Sequence, residues 1–292
     1  MAVLSKGALF PESVEAKIFS LVKGHSSLAK LSGQEALPFV GKDIFTFNFD
    51  KDISIVGENG EKPAGDGVAD VVKMTPVKVV YQMRVSDEFM YASEEYKMSV
   101  LDAFADGYAK KLGAGLDKMA MHGIDPATGI ASGIIGTNCF DKKVTTNTVS
   151  YTDADIDIDS AVAQVEASEY VANGVVIAPS VRSDLATKRG TDGQRLYPDF
   201  AFGATPANLG SMNLDVNATV SANGSTDKAI VGDFQTAFRW GIAKQLPLEV
   251  IEYGDPDNTG KDLKGSNQVL LRSESFIGWA IMDEKAFSIV GA

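Results

Sequence analysis

Acid–base, nucleophilic and metal chemistry need histidines, cysteines or carboxylates at short spacing. This chain of 292 residues offers two histidines, His25 and His122, and one cysteine, Cys139. A Cys/His zinc set cannot be built from so few ligands. His25 lies in an apolar arm and His122 at a helix end, where a solvated or capping role is the ordinary one. The run Asp153, Asp155, Asp157, Asp159, with Glu166 beyond it, places carboxylates at positions 1, 3, 5 and 12 when counted from Asp155. Position 6 is Ser160 instead of the glycine that turns a calcium loop, and the segment reads as a helix start with acids near its positive end. No G-x-x-x-x-G-K-[ST], G-x-G-x-x-G or G-x-S-x-G motif occurs. The glycine-rich stretch Gly57–Gly67 joins two strands, carries Glu58, Glu61 and Asp66, and opens no helix, so it is no phosphate cradle. Asn217-Ala-Thr219 and Asn223-Gly-Ser225 match a glycosylation pattern that has no meaning without a signal peptide. No catalytic, cofactor-binding or metal residue is nominated, and no enzyme activity is expected.

The elements around these residues are more telling. From about Ser93 to Met121, residues Met98, Leu101, Phe104, Ala105, Tyr108, Leu112, Leu116, Met119 and Ala120 make one apolar stripe of a long helix. Glu94, Glu95 and Lys118 suit its dipole, and His122-Gly123 reads as its stop. Gly107, Gly113 and Gly115 each cost about 1 kcal/mol relative to alanine and imply a bend or a close neighbour. Residues 1 to about 40 hold a short helix after Pro11, then an irregular apolar segment that must pack on something else. Ile44–Phe49 and Ile53–Val56, returning through Val68–Thr75 and Val77–Val85, read as a ribbon over about 42–85. Asn59-Gly60 and Asp66-Gly67 mark its turns. A lone ribbon is marginal in water, so an exposed one implies a partner chain. Further on come a helix from Asp153 to about Val171, a buried strand Val175–Ala178, a helix from Pro179 to Lys188 and a punctuated loop over 190–208. Strands near Leu214–Val220, Ala229–Gly232, Phe238–Ile242 and Leu248–Tyr253 follow. Gln268–Leu271, Phe276–Met282 and Phe287–Val290 are expected to form a terminal sheet. The pattern is α+β.

Composition sets the outer bounds. With 45% apolar and 23% charged residues the chain is that of a globular protein with a real core. No apolar run reaches the ~20 residues of a membrane span, and no secretory signal is seen. One cysteine excludes an intrachain disulfide and suits a reducing compartment. Net charge is −12, and 17 acidic against 9 basic residues lie between Pro126 and Gly260. Without a Lys/Arg cluster, direct nucleic-acid binding is not expected.

The order of parts, with several local strings, resembles the major capsid protein of tailed bacteriophages, the Hong Kong 97-type shell fold. The strings are Gly57-Glu58-Asn59-Gly60-Glu61-Lys62-Pro63, Val85-Ser86-Asp87-Glu88-Phe89, the helix exit Asp117 to Gly129, Val176 to Pro198, Val231 to Phe234, and Glu284 to Val290. The resemblance implies an N-terminal arm (1–41), an extended loop (42–82), a peripheral domain with the spine helix (83–125 and 259–292) and a mixed axial domain (126–258). It implies hexamers and pentamers closing an icosahedral or prolate shell around double-stranded DNA. Inter-subunit contacts are then expected at Glu58, Asn59, Glu61 and Lys62 on the loop and at Arg189, Asp192, Arg195 and Tyr197 near the axis. Implied partners are other copies, a separate scaffolding protein, a portal and a decoration protein, with no cofactor and no membrane. The chain would be found in the virion and assembled in the bacterial host cytoplasm.

Two features depart from the founding pattern. The arm begins almost at Met1, which implies a mature chain or a separate scaffold. The family's covalent cross-link would here use Lys62, Asn267 and Glu274, with the Asn-x6-Glu spacing kept. All three types are common on surfaces, so the expectation is assembly without it. Two other readings remain open: an encapsulin-like nanocompartment with an enzyme cargo, and an α+β hydrolase or binding protein using the acidic middle of the chain.

Overall fold

The computed structural model describes residues 21–49, 54–62, 64, 67–243 and 248–291. The expected helix after Pro11 thus lies largely outside the described residues, as do Ile53, Pro63 and Asp66. The spine helix runs Glu94–His122. It starts where the Ser93 hydroxyl accepts from the Tyr96 amide, and it stops at Gly123, which adopts the left-handed conformation (φ 66°) of a C-cap. Leu101, Phe104, Tyr108, Leu112, Leu116 and Met119 are buried along its inner face. Met98, placed on the same stripe by its spacing, is instead 38% exposed.

In chain order the first strands are β1 (Lys42–Phe49), β2 (Gly67–Met74), β3 (Val77–Ser86), β4 (Thr148–Ser150), β5 (Gly174–Ile177) and β6 (Asn208–Leu209). Then come β7 (Met212–Val216), β8 (Ala229–Gly232), β9 (Phe238–Ile242), β10 (Leu248–Ile251), β11 (Gln268–Ile281) and β12 (Phe287–Gly291). β1 and β2 pair alone. β11 is flanked by β3 on one edge and by β9 and β10 on the other. The third sheet has the order β4-β12-β8-β5-β7-β6.

Several elements differ from the reading of the sequence, among them the strand expected over Leu214–Val220, which ends at Val216 before a 3-10 stretch Ala218–Gly224. The ribbon ends at Met74, because Thr75-Pro76 interrupts the return strand and Pro76 has no amide to offer a ladder. Val77–Ser86 turns away and pairs with β11 from Val77↔Ile277 to Ser86↔Gln268. Gln268–Leu271 and Phe276–Met282 are one strand. The polar interval between them looks like a break, but Ser273 and Ser275 face inward and are fully buried. The Ser275 hydroxyl is hydrogen-bonded to that of Tyr108 on the spine helix. Phe287–Gly291 does not join the terminal sheet. It fills the six-stranded sheet between β4 and β8, where all five residues are buried. The helix Ala154–Ala167 also ends short of Val171, just before Glu169 in the left-handed region (φ 65°).

One continuous core joins these layers. Phe140, Phe234 and Phe287 meet with ring centroids 4.9 and 5.3 Å apart, and Tyr81 lies tilted against Phe104 and Tyr108. The described end of the arm contributes Val22, Leu28, Ala29 and Leu31 to the same core. A Cβ at Gly113 would lie 2.9 Å from the Val22 carbonyl oxygen and 3.1 Å from His25 Cβ. That glycine therefore marks the close neighbour, which is the arm. On β3, the Arg84 guanidinium donates to Asp255, Asp257, Thr259 and the Lys261 carbonyl. It thereby fastens the loop over 254–262 and holds the Asp257 carboxyl down at about 2.

The polar centre of the core is Asp117 on the spine helix. Its carboxylate accepts from the Ser26 hydroxyl at 2.6 Å, the Ser27 and Leu28 amides at 2.9 and 3.2 Å, Asn217 Nδ2 at 3.1 Å and the Thr219 hydroxyl at 3.0 Å. Burial pushes the carboxyl up to about 6 against the pull of these donors. Replacing it by Ala strands five donors in the core, so urea unfolding at pH 7 should show Asp117→Ala less stable by about 3 kcal/mol. Because the folded value of about 6 lies above the ordinary 3.8, the folded chain holds this proton more tightly than the unfolded one. Its contribution makes wild-type stability fall as pH rises from about 4 to about 6, and the variant should lack that slope.

Candidate inter-subunit surface

β1 and β2 run antiparallel in full register, from Lys42↔Met74 to Phe49↔Gly67, an arm of about 25 Å at the usual strand rise. Its root is fixed: Leu37, Met74 and Ala280 form a small buried cluster with Val72 packed against it. Its outer face is bare. Phe45 and Val71, directly opposite one another, are 65% and 46% exposed, and Ile55 in the distal loop is fully exposed. Glu58, Asn59, Glu61 and Lys62 are all exposed in that loop, where Gly60 donates its amide to the Gly57 carbonyl at 2.9 Å. The four loop residues expected to make contacts therefore sit together at the tip, beside apolar side chains that this chain leaves uncovered.

The second group of expected contact residues is divided by the structure. Arg189 and Asp192 are exposed at the turn of the loop that follows the helix Pro179–Thr187. Arg195 and Tyr197 are half-buried and hold that loop down. Arg195 donates to the Ala186 carbonyl at 2.7 Å and lies 4.9 Å over the Phe202 ring. The Tyr197 hydroxyl donates to Asp155 at 3.0 Å, and Lys188 bridges Asp153 and Asp155. Burial works against the charge on Asp155, yet hydrogen bonds from Lys188, Tyr197 and the Ile156 amide keep its carboxyl well below the usual carboxylate range. Of the acids at calcium-loop spacing, Asp155 is thus engaged with a lysine, and Asp157 accepts the Thr152 and Asp153 amides. Phe202 itself is 96% exposed and has φ 55°, a left-handed conformation uncommon for a bulky residue. The fold holds an aromatic ring outward at the loop's tip.

The cross-link residues do not meet within the chain. Lys62 is at the ribbon tip, and Asn267 caps a short 3-10 turn in the left-handed conformation. Glu274 lies seven positions further along β11, roughly 23 Å away at the strand rise, and its carboxylate pairs with Lys78 at 2.9 Å. Of the histidines, His25 is exposed, whereas His122 is buried, a correction to the solvated or capping role expected for it. Nothing near His122 in the sequence announces this, because its neighbours arrive from residues 141, 219 and 227.

A ribbon rooted on Leu37 and Ala280 and a loop that holds Phe202 outward, both ending in bare apolar groups, describe a subunit built to be covered by others. The family model for the phage capsid family matches residues 6–291. The chain belongs to the phage capsid family. Among solved structures, one from Mycobacterium phage Ogopogo is 31% identical, with 100% of this chain and 94% of that chain covered and a TM-score of 0.77. One from Gordonia phage Cozz is 25% identical over 91% of this chain and 86% of that one, with a TM-score of 0.73. The capsid of a native GTA particle, at 14% identity, shares the fold alone (TM-score 0.65, covering 100% and 94%). No curated protein sequence matches the chain. The α+β shell fold and the structural major capsid role follow from the family, and the encapsulin alternative is not favoured. This capsid protein is therefore a virion component that associates with its own copies. Among the described residues no helix is long and apolar enough to cross a membrane.

The loop that holds Phe202 outward depends on Arg195. In Arg195→Ala, limited proteolysis between residues 189 and 204 should run roughly tenfold faster than in wild type, while cleavage elsewhere is unchanged. Equal rates would show that the loop is held by other contacts.

Proposed function

We propose that the capsid protein assembles through hexamers and pentamers into a closed icosahedral or prolate shell around double-stranded DNA, with the ribbon lying over a neighbouring subunit. The observation that carries this reading is the bare face of Phe45, Val71 and Ile55 on an arm whose base packs on Leu37 and Ala280. Apolar groups kept in water on a two-stranded ribbon are a cost that a neighbour's surface removes. Glu58, Asn59, Glu61 and Lys62 would be the tip contacts, and Arg189, Asp192, Arg195 and Tyr197 would place the Phe202 loop near the symmetry axis. The division into arm, extended loop, peripheral domain and axial domain is retained with two adjustments. The loop ends near Pro76, and the strand Phe287–Gly291 belongs with the axial sheet, as its pairing with β4 and β8 supports.

The role is non-enzymatic, and assembly takes place in the host cytoplasm with a separate scaffolding protein, a portal and a decoration protein as partners. The net charge of −12 and the lack of a Lys/Arg cluster support DNA enclosed without sequence-specific contacts.

Deleting residues 57–67 tests the ribbon. The variant should keep the wild-type circular dichroism spectrum but form no closed shells by negative-stain microscopy. Normal particles from it would remove the ribbon from the assembly mechanism. Wild-type particles boiled in denaturant should run as a single monomer band, whereas a ladder abolished by Lys62→Ala would establish the cross-link and overturn the non-enzymatic reading.

A further inference from the structure

Three ligand-type side chains, distant in sequence, converge at the C-terminal end of the spine helix. His122 is its last residue, Asp141 lies on the helix Phe140–Lys143, and Asp227 precedes β8. His122 Nδ1 is 2.9 Å from Asp141 Oδ2 and 3.7 Å from Asp227 Oδ2. One ligand atom from each of the three lies within 4.8 Å of the other two. They open into a cleft of about 520 Å³ whose lining includes Thr148, Asn223 and Ser225.

The other imidazole nitrogen defines the tautomer. Nε2 is 2.9 Å from the Thr219 carbonyl oxygen, which can only accept, so Nε2 carries a proton. In the neutral ring Nδ1 then turns its lone pair towards two carboxylates. Three electron-rich atoms within 4.8 Å of one another repel unless a cation lies among them. A second proton on Nδ1 answers this only in part. It is one N–H, it points to Asp141, and it leaves Asp227 Oδ2, a buried atom without a hydrogen-bond partner. A metal ion satisfies all three ligands together. The hydrogen bond from the outer nitrogen to a backbone carbonyl is the arrangement that orients metal-ligating histidines. Thr219 is itself held in place, since its hydroxyl donates to Asp117 at 3.0 Å.

We propose that His122 Nδ1, Asp141 and Asp227 bind one divalent metal ion, Zn²⁺ or Mn²⁺. One imidazole with two carboxylates is a donor set that both ions accept, and water from the cleft would complete the coordination. The ion would pin the end of the spine helix to the 139–143 turn and to the segment that enters β8. No step of shell assembly is assigned to it.

The test uses the full-length protein, stripped with EDTA, incubated separately with ZnCl₂ or MnCl₂, gel-filtered and measured by plasma mass spectrometry. About one ion per chain should be retained by the wild type. Asp141→Asn alters a partly exposed side chain and should fold normally by circular dichroism. It should lower affinity at least about tenfold, as should Asp227→Asn if it folds. Retention of neither metal by the wild type would overturn the site and leave a protonated His122 between two carboxylates. Undiminished retention by Asp141→Asn would equally overturn it, as binding to unrelated surface acids.

Discussion

One buried carboxylate decides how the parts of this subunit are joined. Asp117 accepts two amides and a hydroxyl from residues 26–28, and a side-chain amide and a hydroxyl from residues 217 and 219. The partners are about ninety residues earlier and about one hundred later in the chain. Closing loops of that length has an entropic cost that grows only slowly with length, but directional bonds are needed to specify where closure occurs. Gly113 lies four residues before Asp117, hence on the same helical face. The glycine clears space for the arm's backbone, and the carboxylate supplies acceptors for the amides that arrive there. Space and polarity are thus provided by one face of one helix, and neither would place the arm alone. The arm helix Ser27–Leu31 has its first amides capped partly by Ser26 and partly by this remote aspartate, so a helix too short to form by itself is completed by the spine.

From that centre, rigidity falls away in two directions. Towards the four-stranded sheet, β11 pairs with β3 over Gln268–Ile277 on one edge and with β10 and β9 on the other, and Arg84 ties the adjoining loop to it. The ribbon leaves this sheet at Thr75-Pro76, with Val72 packed against the small cluster at its root. Towards the six-stranded sheet, Lys188, Tyr197 and Arg195 brace a loop whose last exposed element is Phe202. Both routes end in apolar groups facing water, at Phe45, Val71 and Ile55 on one side and Phe202 on the other. The subunit is well packed at its middle and incomplete at its extremities, as a shell built from many copies requires.

How much of this is legible in the sequence depends on whether a signal is local. The bounds of the spine helix follow from Ser93 and Gly123, residues whose capping chemistry acts on adjacent backbone. The helix beginning at Pro179 and the buried strand before it follow likewise from local pattern. Ser273 and Ser275 mislead because polar residues in a strand are read as solvent-facing. Only the hydroxyl of Tyr108, 167 residues away, makes burial of Ser275 tolerable. The position of Phe287–Gly291 could not be read at all. An apolar pentapeptide has no feature that selects β8 and β4 over β11, and the choice is made by the whole topology. Of the expected contact residues, those in the ribbon tip lie together because they are contiguous. Arg189 and Asp192 separate from Arg195 and Tyr197 because a loop's inward and outward sides depend on partners such as Asp155 and Phe202. His122 is the extreme case, with partners from three distant segments.

The end of the spine helix is where these long-range constraints accumulate. Thr219 gives its hydroxyl to Asp117 and its carbonyl oxygen to His122, two side chains five residues apart and so roughly 140° apart around the helix axis. The strap over residues 217–219 therefore grips the helix on two faces, which a single contact could not do. Apolar packing resists separation but is tolerant of sliding and rotation. Paired hydrogen bonds to a backbone strap on two faces are tolerant of neither, because each depends on direction as well as distance. The helix that both sheets pack against is thus held at its C-terminal end by direction-dependent contacts from one short strap.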